Sequence, residues 1–175
     1  GAIFLFAYTG NKIHTNNPEI AHPGSAIEGC VRDAIDEMTK KMMPQGGFAE
    51  PKHYKLYKNT KVEYLCDNLG FFAPCVQQHP LFLEEMRGIL ENYVKEKTDE
   101  CFRTLKKRYE QRATNVELGE QALSLSWGVG KIKVNITRMM KLSKGGKILT
   151  VDEFPVEMNH PLYVLGSVAV EIANQ

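Results

Sequence analysis

One stretch constrains the fold of this chain more than any other, the 33 residues from Pro80 to Arg112. Phe82, Met86, Ile89, Leu90, Tyr93, Val94, Cys101, Leu105 and Tyr109 recur at helical spacing and hold one drifting apolar face. Glu91/Lys95 and Asp99/Arg103 sit four residues apart on the outer side, where opposite charges support a helix. Proline suits the first helical position, because its missing N–H has no partner to lose, so His79-Pro80 reads as the start. A continuous helix of this length runs about 50 Å at ~1.5 Å per residue. A compact chain of 175 residues is only about 40 Å across. The helix therefore either breaks near Lys97-Thr98, where the apolar face thins, or carries an end beyond its own domain onto something else. That second outcome places a protein interface on Tyr93, Val94, Cys101, Leu105 and Tyr109.

The remaining elements fall around it. Ala2 to Tyr8 is an unbroken apolar run of strand length, which suits a strand covered on both faces. Ser25 and Glu28 form a capping box ahead of Ile27, Val31, Ala34, Ile35, Met38 and Met42, one face of a second helix that Pro44-Gln45-Gly46-Gly47 ends. Lys52 to Asn59 reads as a basic strand, and Lys61 to Phe72 as a short helix on the spacing of Val62, Leu65 and Leu69. The last third is rich in Val, Ile, Leu and Thr. Ala122 to Trp127, Lys131 to Thr137, Lys147 to Phe154 and Tyr163 to Ile172 read as strands, with glycine-bearing turns between the first three. Residues 129–141 also fit a helix, but the alternation of Ile132, Val134 and Ile136 with polar residues favours a half-buried strand. Helices early and strands late define a single α+β domain over residues 1–175: a buried N-terminal strand, an amphipathic helix, a long charged helix and a mostly antiparallel C-terminal sheet.

With 43% apolar and 25% charged residues, the chain is neither disordered nor filamentous, and no apolar run approaches the ~18 residues of a membrane span. It opens on Gly1 rather than Met, as a cut or processed chain would. Four cysteines form no Cys-x-x-Cys pair, and Cys30 and Cys101 fall inside apolar helical patterns. They are expected to be free core thiols, which favours an intracellular location. Asn135-Ile136-Thr137 is the one glycosylation sequon.

Marks of chemistry are sparse. The long connection over residues 9–24 offers His14, Asn16, Asn17 and His22 ahead of a helix N-terminus, the place for a small ligand or anion and for an acid/base histidine. Its Asn-Asn-Pro and His-Pro-Gly also read as ordinary turn residues. Three His-Pro dipeptides, at residues 22, 79 and 160, are explained by proline at the first position of a helix or just before a strand. Cys66, Cys75 and His79 lack the close cysteine spacing of a zinc knuckle, so no metal site is assigned. No phosphate-binding glycine loop, nucleophile elbow or metalloprotease helix is present, and no cofactor is indicated.

The formal charge of +1 conceals a split: residues 121–151 carry +6 and residues 152–175 carry −4. The basic residues Lys131 to Lys147 could face nucleic acid, or could face the chain's own acidic segment. The leading expectation is a non-catalytic binding or assembly module acting through protein–protein contacts of the long helix and sheet, with a protein partner or self-association. The alternatives are an enzyme using the 9–24 loop and a nucleic-acid binder using residues 131–147.

Overall fold

A computed structural model describes residues 22–68, 70–71 and 74–174. Helix α1 (Gly24–Met42) runs into a 3₁₀ turn (Met43–Gln45). An excursion of four short strands follows: β1 (Tyr54–Tyr57), β2 (Thr60–Glu63), β3 (Cys66–Asp67) and β4 (Val76–Gln77). Helix α2 (Phe82–Glu110) leads to a meander of β5 (Asn115–Leu118), β6 (Ala122–Gly128), β7 (Lys131–Lys144) and β8 (Lys147–Asn159), closed by helix α3 (Leu162–Ala173). The α+β class is as the sequence indicates. The N-terminal strand expected over Ala2 to Tyr8 lies outside the described residues.

β7 is the axis of the sheet. β8 pairs antiparallel along one edge, while β6 and then β5 pair antiparallel along the other. Alternation decides the layering. Ile132, Val134, Ile136, Met140 and Leu142 are buried beneath α1 and α2, and the residues between them face the opposite side. The strand alternative for residues 129–141 therefore holds, because a period of two leaves one face for the core. β7 shifts register against β8 between Thr137 and Met140. Arg138 falls on the buried phase of the same alternation and points inward. There its guanidinium donates to Asp99 (2.6 Å), Gly119 O and Gln121 Oε1, and stacks on Phe102.

α2 neither breaks nor overhangs. Phe82, Met86, Leu90, Val94, Thr98 and Phe102 form a buried ridge at four-residue spacing. At the thin point, the Thr98 hydroxyl donates to Val94 O and accepts from Gln121 Nε2 (2.9 Å), so a satisfied polar group fills the gap. The estimate of a 40 Å sphere fails because the domain is elongated. Fourteen residues of β7 span about 46 Å, against about 43 Å for α2's 29 residues. Helix and sheet match along their whole length.

Several sequence expectations are corrected. Ser25 does not cap α1: the helix already begins at Gly24 behind Pro23, and Glu28 pairs with Arg32 instead. The described residues of 61–72 are not helical: 61–63 belong to β2 and 66–67 to β3. Lys58 and Asn59 both adopt positive φ (46° and 65°), a type I′ reversal that folds β2 back on β1. Residues 163–172 are helical rather than a strand. Leu162 and Gly166 seat against α2, with Gly166 so close to Leu83 that a side chain would collide with it. Packing thus overrides the β propensity of Val and Ile.

The cysteines are bridged, not free. Cys30 on α1 joins Cys101 on α2 across 6.5 Å between Cα atoms, and Cys66 joins Cys75 across 5.7 Å. Sequence pattern identified Cys30 and Cys101 as core-facing, but it could not show that two core-facing helices bring them opposite one another. Among the described residues, no helix is long and apolar enough to cross a membrane.

Candidate functional site

β1 and β2 form a two-stranded ribbon that leaves the body of the molecule. All four residues of β1 are exposed, so neither face of the strand is covered. Its sequence interleaves lysines with tyrosines: Lys52, Lys55, Lys58 and Lys61 with Tyr54, Tyr57 and Tyr64. Lys61 lies over the Tyr54 ring at 4.3 Å and Lys58 over Tyr57 at 5.4 Å. Each stack holds a cation beside an aromatic face while leaving its charge toward solvent.

The ribbon is held at its base by one carboxylate. Glu63, whose side chain is 2% exposed, accepts from the backbone N–H groups of Lys52 (2.5 Å) and His53 (2.8 Å). His79 sits beside it, with Nε2 at 3.5 Å from Glu63 Oε1 and Nδ1 at 2.7 Å from Glu85 on α2. Phe48 packs on the imidazole at 4.4 Å and on Phe82 at 5.7 Å. A histidine between two carboxylates, closed by an aromatic ring, thus ties the ribbon to the first turn of α2. A depression of about 340 Å³ opens beside it, between Phe48, Lys52, Glu63 and Ile89. Sequence inspection missed this cluster because its members come from four separate stretches; it showed only a basic strand over Lys52 to Asn59.

α3 lies at the same end of the molecule. Gly166 rests against Phe82 and Leu83, and Asn174 accepts a hydrogen bond from Gln77 on β4. One side of α3 is packed. On the other, Val164, Leu165, Val168 and Ile172 are exposed, Ile172 to 67%. With Phe71 (99% exposed), Leu81 and the ribbon, residues 54–81 and α3 supply eleven of the fifteen exposed large apolar side chains among the described residues.

The residues singled out from sequence fall elsewhere. His14, Asn16 and Asn17 lie outside the described residues. His22 is exposed, and its Nδ1 accepts from the Gly24 N–H (3.0 Å) at the start of α1. His160 does the same for Leu162 at the start of α3 (3.1 Å). Two of the three His-Pro dipeptides are therefore helix-capping devices: proline takes the N-cap and the preceding imidazole receives the free N–H. On α2, Val94 is fully buried and Cys101 is bridged. Tyr93, Leu105 and Tyr109 are half-buried against the core. Burial raises the Tyr93 phenol above its ordinary value, with Glu37 adding to the shift, and burial likewise raises that of Tyr109. Cys66 and Cys75 are joined to each other, so neither is a thiolate ligand for zinc.

The basic segment 131–147 is largely neutralised from within. Lys131 (2.6 Å) and Lys133 (3.3 Å) both pair with Glu157, holding its carboxyl below the usual carboxylate range, first through Lys131. Lys141 pairs with Glu117, and Arg138 with Asp99. By contrast, no carboxylate among the described residues pairs with Lys52, Lys55, Lys58 or Lys61. Among the described residues no strand pairs with the far edge of β8, and Pro155, Asp152 and Glu153 on β8 oppose strand addition there.

Comparison with known proteins adds no relative: the chain matches no family model, and neither a curated protein nor a solved structure is significantly similar to it.

Proposed function

We propose that the chain is a non-catalytic binding or assembly module working through protein–protein contacts. The contact surface is the end of the molecule where α2 begins, rather than the back of α2 or the sheet edge. One observation carries this reading: the ribbon and α3 both attach at the first turns of α2, residues 54–81 and α3 supply most of the exposed large apolar side chains among the described residues, and the four ribbon lysines have no carboxylate partner among those residues. Contiguous apolar surface rimmed by charge is the pattern of an interaction site, and charged rims orient an approaching partner.

Self-association is the simplest form of this contact. Two copies of α3 packed about a two-fold axis cover Val164, Leu165, Val168 and Ile172 on both chains. The test is backbone hydrogen exchange at low and high protein concentration. Amides in residues 54–64 and 162–173 are expected to slow as concentration rises, while those of β7 stay constant. Uniform exchange across the series would overturn the proposal in its self-association form.

A further inference from the structure

The sequon Asn135-Ile136-Thr137 lies on β7, where the two-residue period sorts its side chains. Ile136 points into the core, whereas Asn135 and Thr137 share the outer face of the sheet and are both exposed. The cross-strand neighbours of Asn135 are Ser124 on β6 and Pro155 on β8, both exposed and neither long enough to cover it. Asn135, Thr137, Glu153 and Pro155 border a depression of about 350 Å³ on this face.

A second observation concerns the compartment. All four cysteines are paired, one pair linking α1 to α2 and the other closing the β3–β4 loop. Two persistent disulfides belong to an oxidising compartment and run against the intracellular location expected from sequence. Exported chains are the ones that meet the machinery acting on Asn-x-Ser/Thr.

We propose that the chain is exported and that Asn135 is N-glycosylated. The co-reactant is an oligosaccharide carried on a lipid pyrophosphate. Asn135 Nδ2 forms a bond to the anomeric carbon of the first sugar, and the bond from that carbon to the pyrophosphate oxygen breaks. The lipid pyrophosphate leaves with the electron pair, and one amide proton passes to a base of the transferase. No atom changes its net oxidation state. Thr137, two residues on along an extended strand, supplies the hydroxyl that completes the acceptor. A glycan here covers the sheet face away from the helices and leaves the α3 end clear, so the inference stands independently of the role given to that end.

The experiment produces the full chain behind an export signal in yeast and measures intact mass, free thiols and the tryptic peptide 134–138. The wild type is expected to have no free thiols and to carry a hexose-containing glycan that peptide N-glycosidase removes, leaving Asp at position 135. Asn135→Gln and Thr137→Ala should lose the glycan, Thr137→Ser should keep it, and all three should retain closed disulfides. Secreted wild-type chain with both disulfides formed and Asn135 unmodified would overturn the proposal. So would glycosylated chain recovered with open thiols, since a sugar on an outward side chain leaves the fold intact.

Discussion

Glu63 shows how much one residue organises here. It is a charged group in a buried position, which is stable only when its oxygens are occupied. Two backbone N–H groups occupy them, one on each oxygen, and His79 Nε2 lies 3.5 Å from Oε1 without a hydrogen bond, so the carboxylate fixes the start of the ribbon beside the His79–Glu85 pair at the start of α2. Glu63→Ala removes both acceptors and is expected to lower stability by about 1–3 kcal/mol, seen as a lower urea midpoint. Hydrogen exchange should show Lys52 and His53 amides losing protection while β7 keeps its own. A variant as stable as the wild type would show that water replaces the carboxylate fully. Nothing in the local sequence marked Glu63, which the spacing of Val62, Leu65 and Leu69 placed in a short helix over Lys61 to Phe72. Its burial follows from Gly46, which approaches Glu63 backbone at a positive φ of 77° and brings the end of α1 over it.

At the scale of elements, helices were legible where a stripe of apolar residues faces one partner, as in α1 and α2. They were not legible where nearly every residue is apolar. α3 has no polar face to set its period, so its Val and Ile content read as strand, and only Leu162 and Gly166 packing on α2 decides it. Its start depends on His160, whose Nδ1 must be unprotonated to accept from Leu162. Burial holds the His160 imidazole below its ordinary value, while Asp36 opposes that shift. The folded chain therefore takes up the proton less readily than the unfolded chain. The stability this provides is complete above the unfolded value of about 6.5 and is lost as pH falls through it toward the folded value. Thermal unfolding should show the wild type losing stability as pH falls below about 6.5. His160→Asn keeps an acceptor without the titration and should remove part of that slope; an unchanged slope would assign it to other groups.

The disulfides act at the same scale and were the largest misreading, because pairing depends on which helices face each other and not on spacing. Closing a separation of 71 residues with Cys30–Cys101 restricts the unfolded chain by about 4 kcal/mol on loop entropy, against about 3 kcal/mol for the separation of 9 in Cys66–Cys75. Cys30→Ser/Cys101→Ser should therefore lower the urea midpoint more than Cys66→Ser/Cys75→Ser. The reverse order would show that the short bridge, by shaping the ribbon end, matters more than loop length.

For the molecule as a whole, sequence conveyed a class and a charge split. The +6 of residues 121–151 and the −4 of residues 152–175 meet as Lys131 and Lys133 on Glu157, while Arg138 and Lys141 pair with Asp99 and Glu117 from outside both segments, so part of that split is an internal match. Among the described residues, what stays unmatched is a cationic ribbon and the exposed apolar face of α3, both seated on the first turns of α2. The long helix is the spine that positions this end, and its own stripe is spent on α1 and the sheet. The most direct test is the mass of the full chain by light scattering over a concentration series, beside Val168→Glu/Ile172→Glu. Neither side chain is part of the core, so the variant should fold as the wild type does. The account expects the wild type to rise above its monomer mass of 19.8 kDa with concentration and the variant to remain at it. A wild type that stays monomeric throughout, or a variant that associates equally well, would contradict the assignment of this end as the self-contact surface.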